Sequence, residues 1–254
     1  MSTTQLAFLI SGLAGFATVL GCIPLFFSKQ KNSFLIMALS FAAGVVICVS
    51  LTDLLPSAIQ LFGKTNPLFP SFILCGIFLS IGVLLSIFID KYLPSDQPTI
   101  QNTSGKHLYR IGLISCIAII LHNIPEGIAT FMTTSTNVRL GISFAIAITL
   151  HNIPEGISIS VPIYYATGSK LRAFFYALLS GMSEPFGAIL AYLFLSPFIN
   201  DSLMASLYAI IAGIMIQISS YELLPTAWSY QKKKLCTISF VAGAIVMLLS
   251  HFIF

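Results

Sequence analysis

His122-Asn123-Ile124-Pro125-Glu126-Gly127 lies inside the apolar run 110–134, and the same six residues return as His151-Asn152-Ile153-Pro154-Glu155-Gly156 inside the run 140–166. Apolar runs of this length can cross a bilayer as helices. A histidine and a glutamate at the centre of a span are costly there and mark a functional site by default. Meeting that cost twice with identical chemistry points to two helices that face one shared site.

The flanking sequence is of the same kind. Of 254 residues, 57% are hydrophobic and 8% charged, and the mean hydropathy is +0.96. A soluble domain carries about 25% charged residues. Too little polar surface is left to cover a water-soluble globule, so the chain reads as a polytopic membrane protein. The net charge of +4 is carried by loop lysines and arginines and indicates no nucleic-acid partner. Met1–Gln5 has no basic region, and the run Leu6–Phe27 is longer than the core of a signal peptide, so it reads as a retained first span. Cys22, Cys48, Cys75, Cys116 and Cys236 form no CxxC pair and lie in or beside apolar runs. They read as small buried hydrophobes rather than as disulfides or thiolate ligands.

Eight runs are long enough to span, at about 5–27, 34–62, 70–89, 110–134, 140–166, 171–195, 203–228 and 235–254. Lys29 and Lys31 follow span one, and Lys91, Lys106 and Arg110 follow span three. Lys170 and Arg172 follow span five, Lys232, Lys233 and Lys234 follow span seven, and only Lys64 and Arg139 remain for the other side. The positive-inside rule then puts the odd-to-even loops in the cytoplasm and both termini outside. The segment 90–109, with Pro94, Ser95, Pro98, Ser104 and Gly105, reads as a flexible cytoplasmic loop within a single domain spanning 1–254.

A second echo runs through the chain. Asp53-Leu54-Leu55-Pro56-Ser57-Ala58 in span two resembles Glu222-Leu223-Leu224-Pro225-Thr226-Ala227 in span seven. Spans two and seven run in opposite directions, as do spans four and five. The pattern predicts an all-α fold with an inverted 3+2+3 repeat: spans 1–3 against 6–8, with 4 and 5 between. Such repeats, with proline-broken helices at the midplane, are a transporter signature.

Asp53, Glu126, Glu155, Glu184 and Glu222 fall within spans, and no lysine or arginine falls near a span centre. An acid at the membrane centre costs ~2.5–3.5 kcal/mol even on the gentler insertion scale. The balancing charge must therefore arrive as a proton or a bound cation. Residues three and four apart share a helix face, so His122, Asn123 and Glu126 line one face and His151, Asn152 and Glu155 another. Glu184, mid-span in Ser183-Glu184-Pro185-Phe186-Gly187-Ala188, adds a third carboxylate. Nitrogen and oxygen donors without thiolate suit Zn²⁺, Fe²⁺, Mn²⁺ or Co²⁺, and the set is large enough for two ions. Pro125 and Pro154 lack an N–H and free the carbonyls of Leu121 and Leu150 as further ligands or water anchors. Gly127 and Gly156 leave room for close helix approach. His107 and His251 read as solvated. Asp53, near one end of span two, and Glu222, near the opposite end of span seven, read as acids at the outer and cytoplasmic mouths of a pathway.

At these residues the chain resembles the ZIP (Zrt-, Irt-like protein) family of divalent-metal transporters, and the paired hexapeptides most resemble its bacterial zinc-uptake, ZupT-like branch. The resemblance extends along the whole chain and includes Glu184-Pro185-Phe186-Gly187-Ala188. It implies one metal site from His122, Glu126, His151 and Glu155. It implies an adjoining one from Asn123, Asn152 and Glu184 that shares both hexapeptide glutamates. It further implies metal entry into the cytoplasm, a plasma-membrane location (the inner membrane in a Gram-negative cell) and a homodimer. Only His107 stands in the loop where many relatives carry histidine-rich tracts, which argues against metal sensing there. The reading is a transporter of zinc, and of iron, manganese or cobalt in the same chemistry, with no catalytic role and no cofactor. The alternatives are a membrane-embedded metal-dependent hydrolase, which lacks an HExxH helix here, and a proton-coupled carrier of an organic solute, which leaves the imidazoles and amides without a purpose.

Overall fold

The computed structural model describes residues 1–27, 31–92, 105–195 and 200–253, and these contain helices and no strands. Seven helical stretches are long and apolar enough to cross a membrane: α1 (Thr3–Phe27), α2 (Asn32–Gly63), α3 (Leu68–Lys91), α4 (Gly105–Thr136), α5 (Val138–Thr167), α6 (Lys170–Phe194) and α7 (Asp201–Ser229). A further helix, α8 (Lys233–Ile253), follows. Side-chain caps set several starts. Ser2 and Gln5 form a capping box, and Asn137, Ser169 and Asn200 accept from the backbone N–H three residues on. Gly168, with φ of 67°, ends α5 in the left-handed region open to glycine.

α4 and α5 pack along each other at the centre. α1 lies against α5 and α6 against α4, while α2 pairs with α8 and α3 with α7. The contacts are backbone-close. A Cβ on Gly127 would stand 1.8 Å from the Glu184 carbonyl oxygen, and one on Gly156 1.8 Å from that of Thr18. Where α1 crosses α6 the contact is reciprocal: Gly15 faces the Gly181 carbonyl and Gly181 the Gly15 carbonyl, each at 2.3 Å from an added Cβ. Gly44 with Gly243, and Gly82 with Gly213, join the outer helix pairs in the same way. In hydrocarbon, helices associate through such tight packing because no hydrophobic force separates helix from lipid. The outer faces stay apolar, with Phe72, Ile77 and Leu84 of α3 exposed.

α2 and α7 share an irregularity. Ser50–Leu54 and Ser219–Leu223 are π-helical turns, and in each the next leucine donates its N–H five residues back, Leu55 to Ser50 and Leu224 to Ser219. Pro56 and Pro225 follow at the start of the resumed α-helix. The Leu-Leu-Pro echo is thus a widened turn that carries an acid. Such turns are frequent at functional sites.

Three expectations are corrected. The helices run unbroken through Pro125 and Pro154, because each proline removes one backbone bond from a helix of 32 or 30 residues held on several sides. The segment 90–109 is not loop throughout: α3 reaches its first residues and α4 begins at Gly105. The rest of that loop, 93–104, lies outside the described residues, as do Lys29 and the side chain of His251. His107 is half-buried, its Nε2 3.3 Å from Thr226 Oγ1. The five cysteines are free and buried, as expected.

Candidate metal centre

The i, i+4 spacing sets His122 above Glu126 on α4 and His151 above Glu155 on α5, and the packing of the two helices turns these pairs toward each other. His122 Nε2 lies 3.2 Å from Glu126 Oε1 and 3.2 Å from Glu155 Oε1. His151 Nε2 lies 2.8 Å from Glu126 Oε1. The two imidazole rings are 6.0 Å apart. Ligand atoms of His122, His151 and Glu155 all fall within 4.8 Å of one another. That spacing suits donors around one ion held at about 2.0–2.2 Å. All four side chains are buried.

The asparagines stand beside this group, anchored to the flanking helices. Asn123 Nδ2 donates to the Ser180 carbonyl on α6 at 3.2 Å. Asn152 Nδ2 donates to the Ala14 carbonyl on α1 at 2.9 Å and to Glu184 Oε2 at 2.9 Å. Each amide is thereby oriented with its oxygen free: Asn123 Oδ1 and Asn152 Oδ1 are buried with no hydrogen-bond partner among the described residues. Glu126 Oε2, Glu155 Oε2, Glu184 Oε1 and His122 Nδ1 are in the same condition. A buried acceptor left unmatched costs about 1–3 kcal/mol. Five unmatched oxygens gathered on facing helices are the chemistry of a cation-binding pocket. The four imidazole and carboxylate side chains meet directly and Asn152 touches Glu184, while Asn123, next to His122 on α4, turns its amide nitrogen to α6.

The comparisons with known proteins agree with this chemistry. Residues 95–251 match a family model described as ZIP Zinc transporter. The chain is 41% identical over 256 residues to a protein named Zinc transporter ZupT from Streptococcus mutans, which covers 98% of this chain and 97% of that protein. Proteins of the same name from Clostridium perfringens and Campylobacter jejuni are 39% and 40% identical, covering 100% and 96% of this chain and 98% and 95% of theirs. The chain belongs to the ZIP family. This ZIP chain is accordingly a multi-pass membrane transporter and not an enzyme, and the hydrolase alternative falls.

Two further acids of this ZIP chain lie apart from the pocket, on the π-helical turns. Asp53 is half-buried and accepts from Thr52 Oγ1 at 3.3 Å. Glu222, 14% exposed, lies 3.5 Å from Arg110 NH1. Arg110, 13% exposed, also binds the carboxylate and the backbone carbonyl of Asp90 at the end of α3. Arg110 is thus a helical residue with two acids around it and not a loop cation, and Glu222 has a balancing charge within the protein. Sequence reasoning missed this ion-pair group because its members come from three helices. It likewise missed the Ala14 and Ser180 carbonyls, since a backbone oxygen leaves no mark in residue type.

Proposed function

We propose that this chain imports zinc into the cytoplasm through two adjoining cation positions in the middle of the membrane. His122, Glu126, His151 and Glu155 form the first. Asn123, Asn152 and Glu184, with both hexapeptide glutamates bridging, form the second. The observation that carries the reading is the set of buried, unmatched carboxylate and amide oxygens beside two imidazoles. The names of the relatives and the neutral-nitrogen, oxygen-rich donor set support zinc as cargo. The same donors admit Fe²⁺, Mn²⁺ and Co²⁺.

The protein spans the plasma membrane eight times, α8 being the eighth span, as one domain with both termini outside and the segment 90–109 on the cytoplasmic side. An inverted repeat relates α1–α3 to α6–α8. It is supported by the paired crossings: Gly44 and Gly213 occupy matching places on α2 and α7, and the two π-helical turns follow each at the same distance. Asp53 stands at the outer mouth and Glu222 at the inner one. The chain works as a homodimer in the bilayer.

Zinc flux into proteoliposomes loaded with an indicator tests the reading. Wild-type protein should fill the vesicles with zinc, and Glu126→Ala protein at equal incorporation should not. Equal flux from both would overturn the site.

A further inference from the structure

The helices flanking the pocket match residue for residue across the α1–α6 crossing. The Ala14 carbonyl anchors Asn152 and the Ser180 carbonyl anchors Asn123. Gly15 and Gly181 touch reciprocally. The Cβ of Glu184 lies 3.0 Å from where a Gly15 Cβ would stand, and the Cβ of Thr18 lies 3.2 Å from where a Gly181 Cβ would stand. The backbone oxygens of Thr18 and Glu184 would lie the same 1.8 Å from a Cβ added at Gly156 and Gly127. One numbering offset, 166, links Ala14 to Ser180, Gly15 to Gly181, Thr18 to Glu184 and Gly21 to Gly187. Thr18 therefore occupies on α1 the place that Glu184 occupies on α6.

Its hydroxyl, like those of Thr130 and Ser180, is buried and unmatched, but it alone stands at the place matching Glu184. Thr18 is fully buried, and its Oγ1 has no hydrogen-bond partner among the described residues. A threonine within a helix usually satisfies its hydroxyl on the carbonyl four residues back, as Thr134 and Thr167 do at 2.7 Å. For Thr18 that carbonyl is Ala14, which accepts from Asn152 instead. Glu184 reaches Asn152, so the matching relation pairs Thr18 with Asn123, whose Oδ1 is also unmatched. No hydrogen bond joins the two, and a cation between them would satisfy both oxygens.

We infer that the Thr18 hydroxyl is a ligand of the second cation position, the neutral counterpart on α1 of the Glu184 carboxylate on α6. The inference rests on the two-position reading above. A hydroxyl is a hard, uncharged donor. It completes the coordination without a further negative charge, so the ion is held less firmly than between two carboxylates and passes on. Hard oxygen donors also favour Mn²⁺ relative to Zn²⁺.

Thr18→Val keeps the shape and removes the hydroxyl. Thr18→Ser keeps the hydroxyl. The probes are Zn²⁺ and Mn²⁺ themselves, in equilibrium binding to purified full-length protein and in competition uptake by proteoliposomes. Thr18→Val should weaken the second bound ion about tenfold and lower Mn²⁺ uptake relative to Zn²⁺, while Thr18→Ser stays close to wild type. Wild-type stoichiometry and metal ratio in Thr18→Val would overturn the proposal. Equal losses in Thr18→Val and Thr18→Ser would also overturn it, because packing and not the hydroxyl would then be responsible. Glu126→Ala separates the two readings: it should lose both ions. If it binds both normally, the pocket itself is wrong. If it loses both while Thr18→Val binds like wild type, only the Thr18 assignment fails.

Discussion

The two hexapeptides are identical, whereas the segments packed on them are matched in backbone and different in chemistry. Asn123 and Asn152 each bind a carbonyl of a flanking helix. Beside those carbonyls one flank offers the carboxylate of Glu184 and the other the hydroxyl of Thr18. Further out, two π-helical turns of the same length carry Asp53 and Glu222, an aspartate in one and, in the other, a glutamate paired with Arg110. The chemistry is doubled at the pocket and uneven beside it.

The doubled part predicts the largest effects. Glu126 and Glu155 have equivalent places, and each lies against His122. Glu126→Ala and Glu155→Ala should therefore each reduce zinc uptake at least about 100-fold at normal membrane abundance, since loss of a mere outer-shell partner of a metal ligand already costs about 10–100-fold. The comparison breaks if one variant transports near normally while the other is dead, since the two copies would then not share one site.

The uneven part predicts a loss of stability on one side. Arg110→Ala leaves Asp90 and Glu222 near each other without their cation. Both partners of the Arg110–Glu222 pair are largely buried, so the variant should lose about 2 kcal/mol, below the ~3–5 kcal/mol for breaking a fully buried pair. Thermal unfolding in detergent measures it. Adding Glu222→Gln to Arg110→Ala should restore part of the loss. An unchanged melting temperature in Arg110→Ala would mean that the pair holds nothing together.

The sequence displayed the doubled part and concealed most of the uneven part, for physical reasons. A histidine and a glutamate four apart in an apolar run can only be costly or useful, and repetition settled which. The spans were legible from length, to within a few residues: 140–166 against Val138–Thr167. The start of α4 was not, because the polar residues His107, Tyr109 and Arg110 find partners on other helices that no local pattern shows. Arg110 and Glu222 are 112 residues apart, and no local pattern joins them. The Leu-Leu-Pro echo announced a pair of related segments. That each is a widened turn with a bond five residues back depends on backbone geometry, which proline content alone does not specify.

A smaller effect distinguishes the imidazoles from the carboxylates within the doubled part. His151→Ala removes a nitrogen donor and leaves an oxygen-rich pocket, which shifts preference from Zn²⁺ toward Mn²⁺. His122→Ala should do the same, because each imidazole lies against Glu126. Competition uptake with both metals reads the ratio. A shift of a few-fold, about 2–10, in both variants supports equal roles, and an unchanged ratio in either removes that histidine from the ligand set.

The last prediction concerns which mouth faces which side, and it changes labelling rather than flux. The proposed orientation, with the odd-to-even connections in the cytoplasm, would put the π-helical turn of α2 toward the outside and that of α7 toward the inside. Asp53 is half-buried and Glu222 14% exposed, so labelling at either position reports reagent that enters along the route from its own side. The five native cysteines are buried and can be replaced without touching the pocket. In that background, Asp53→Cys in sealed cells should react with an impermeant thiol reagent added outside more readily than Glu222→Cys. Opening the cytoplasmic face should reverse the order. Zinc should protect both thiols, since a thiolate near a cation route is itself a zinc ligand. Faster outside labelling at position 222 would invert the orientation and exchange the two mouths, leaving the central pocket as it stands. Equal labelling at both would mean that neither acid lies at a mouth, and the unevenness between them would then concern helix packing rather than the direction of transport.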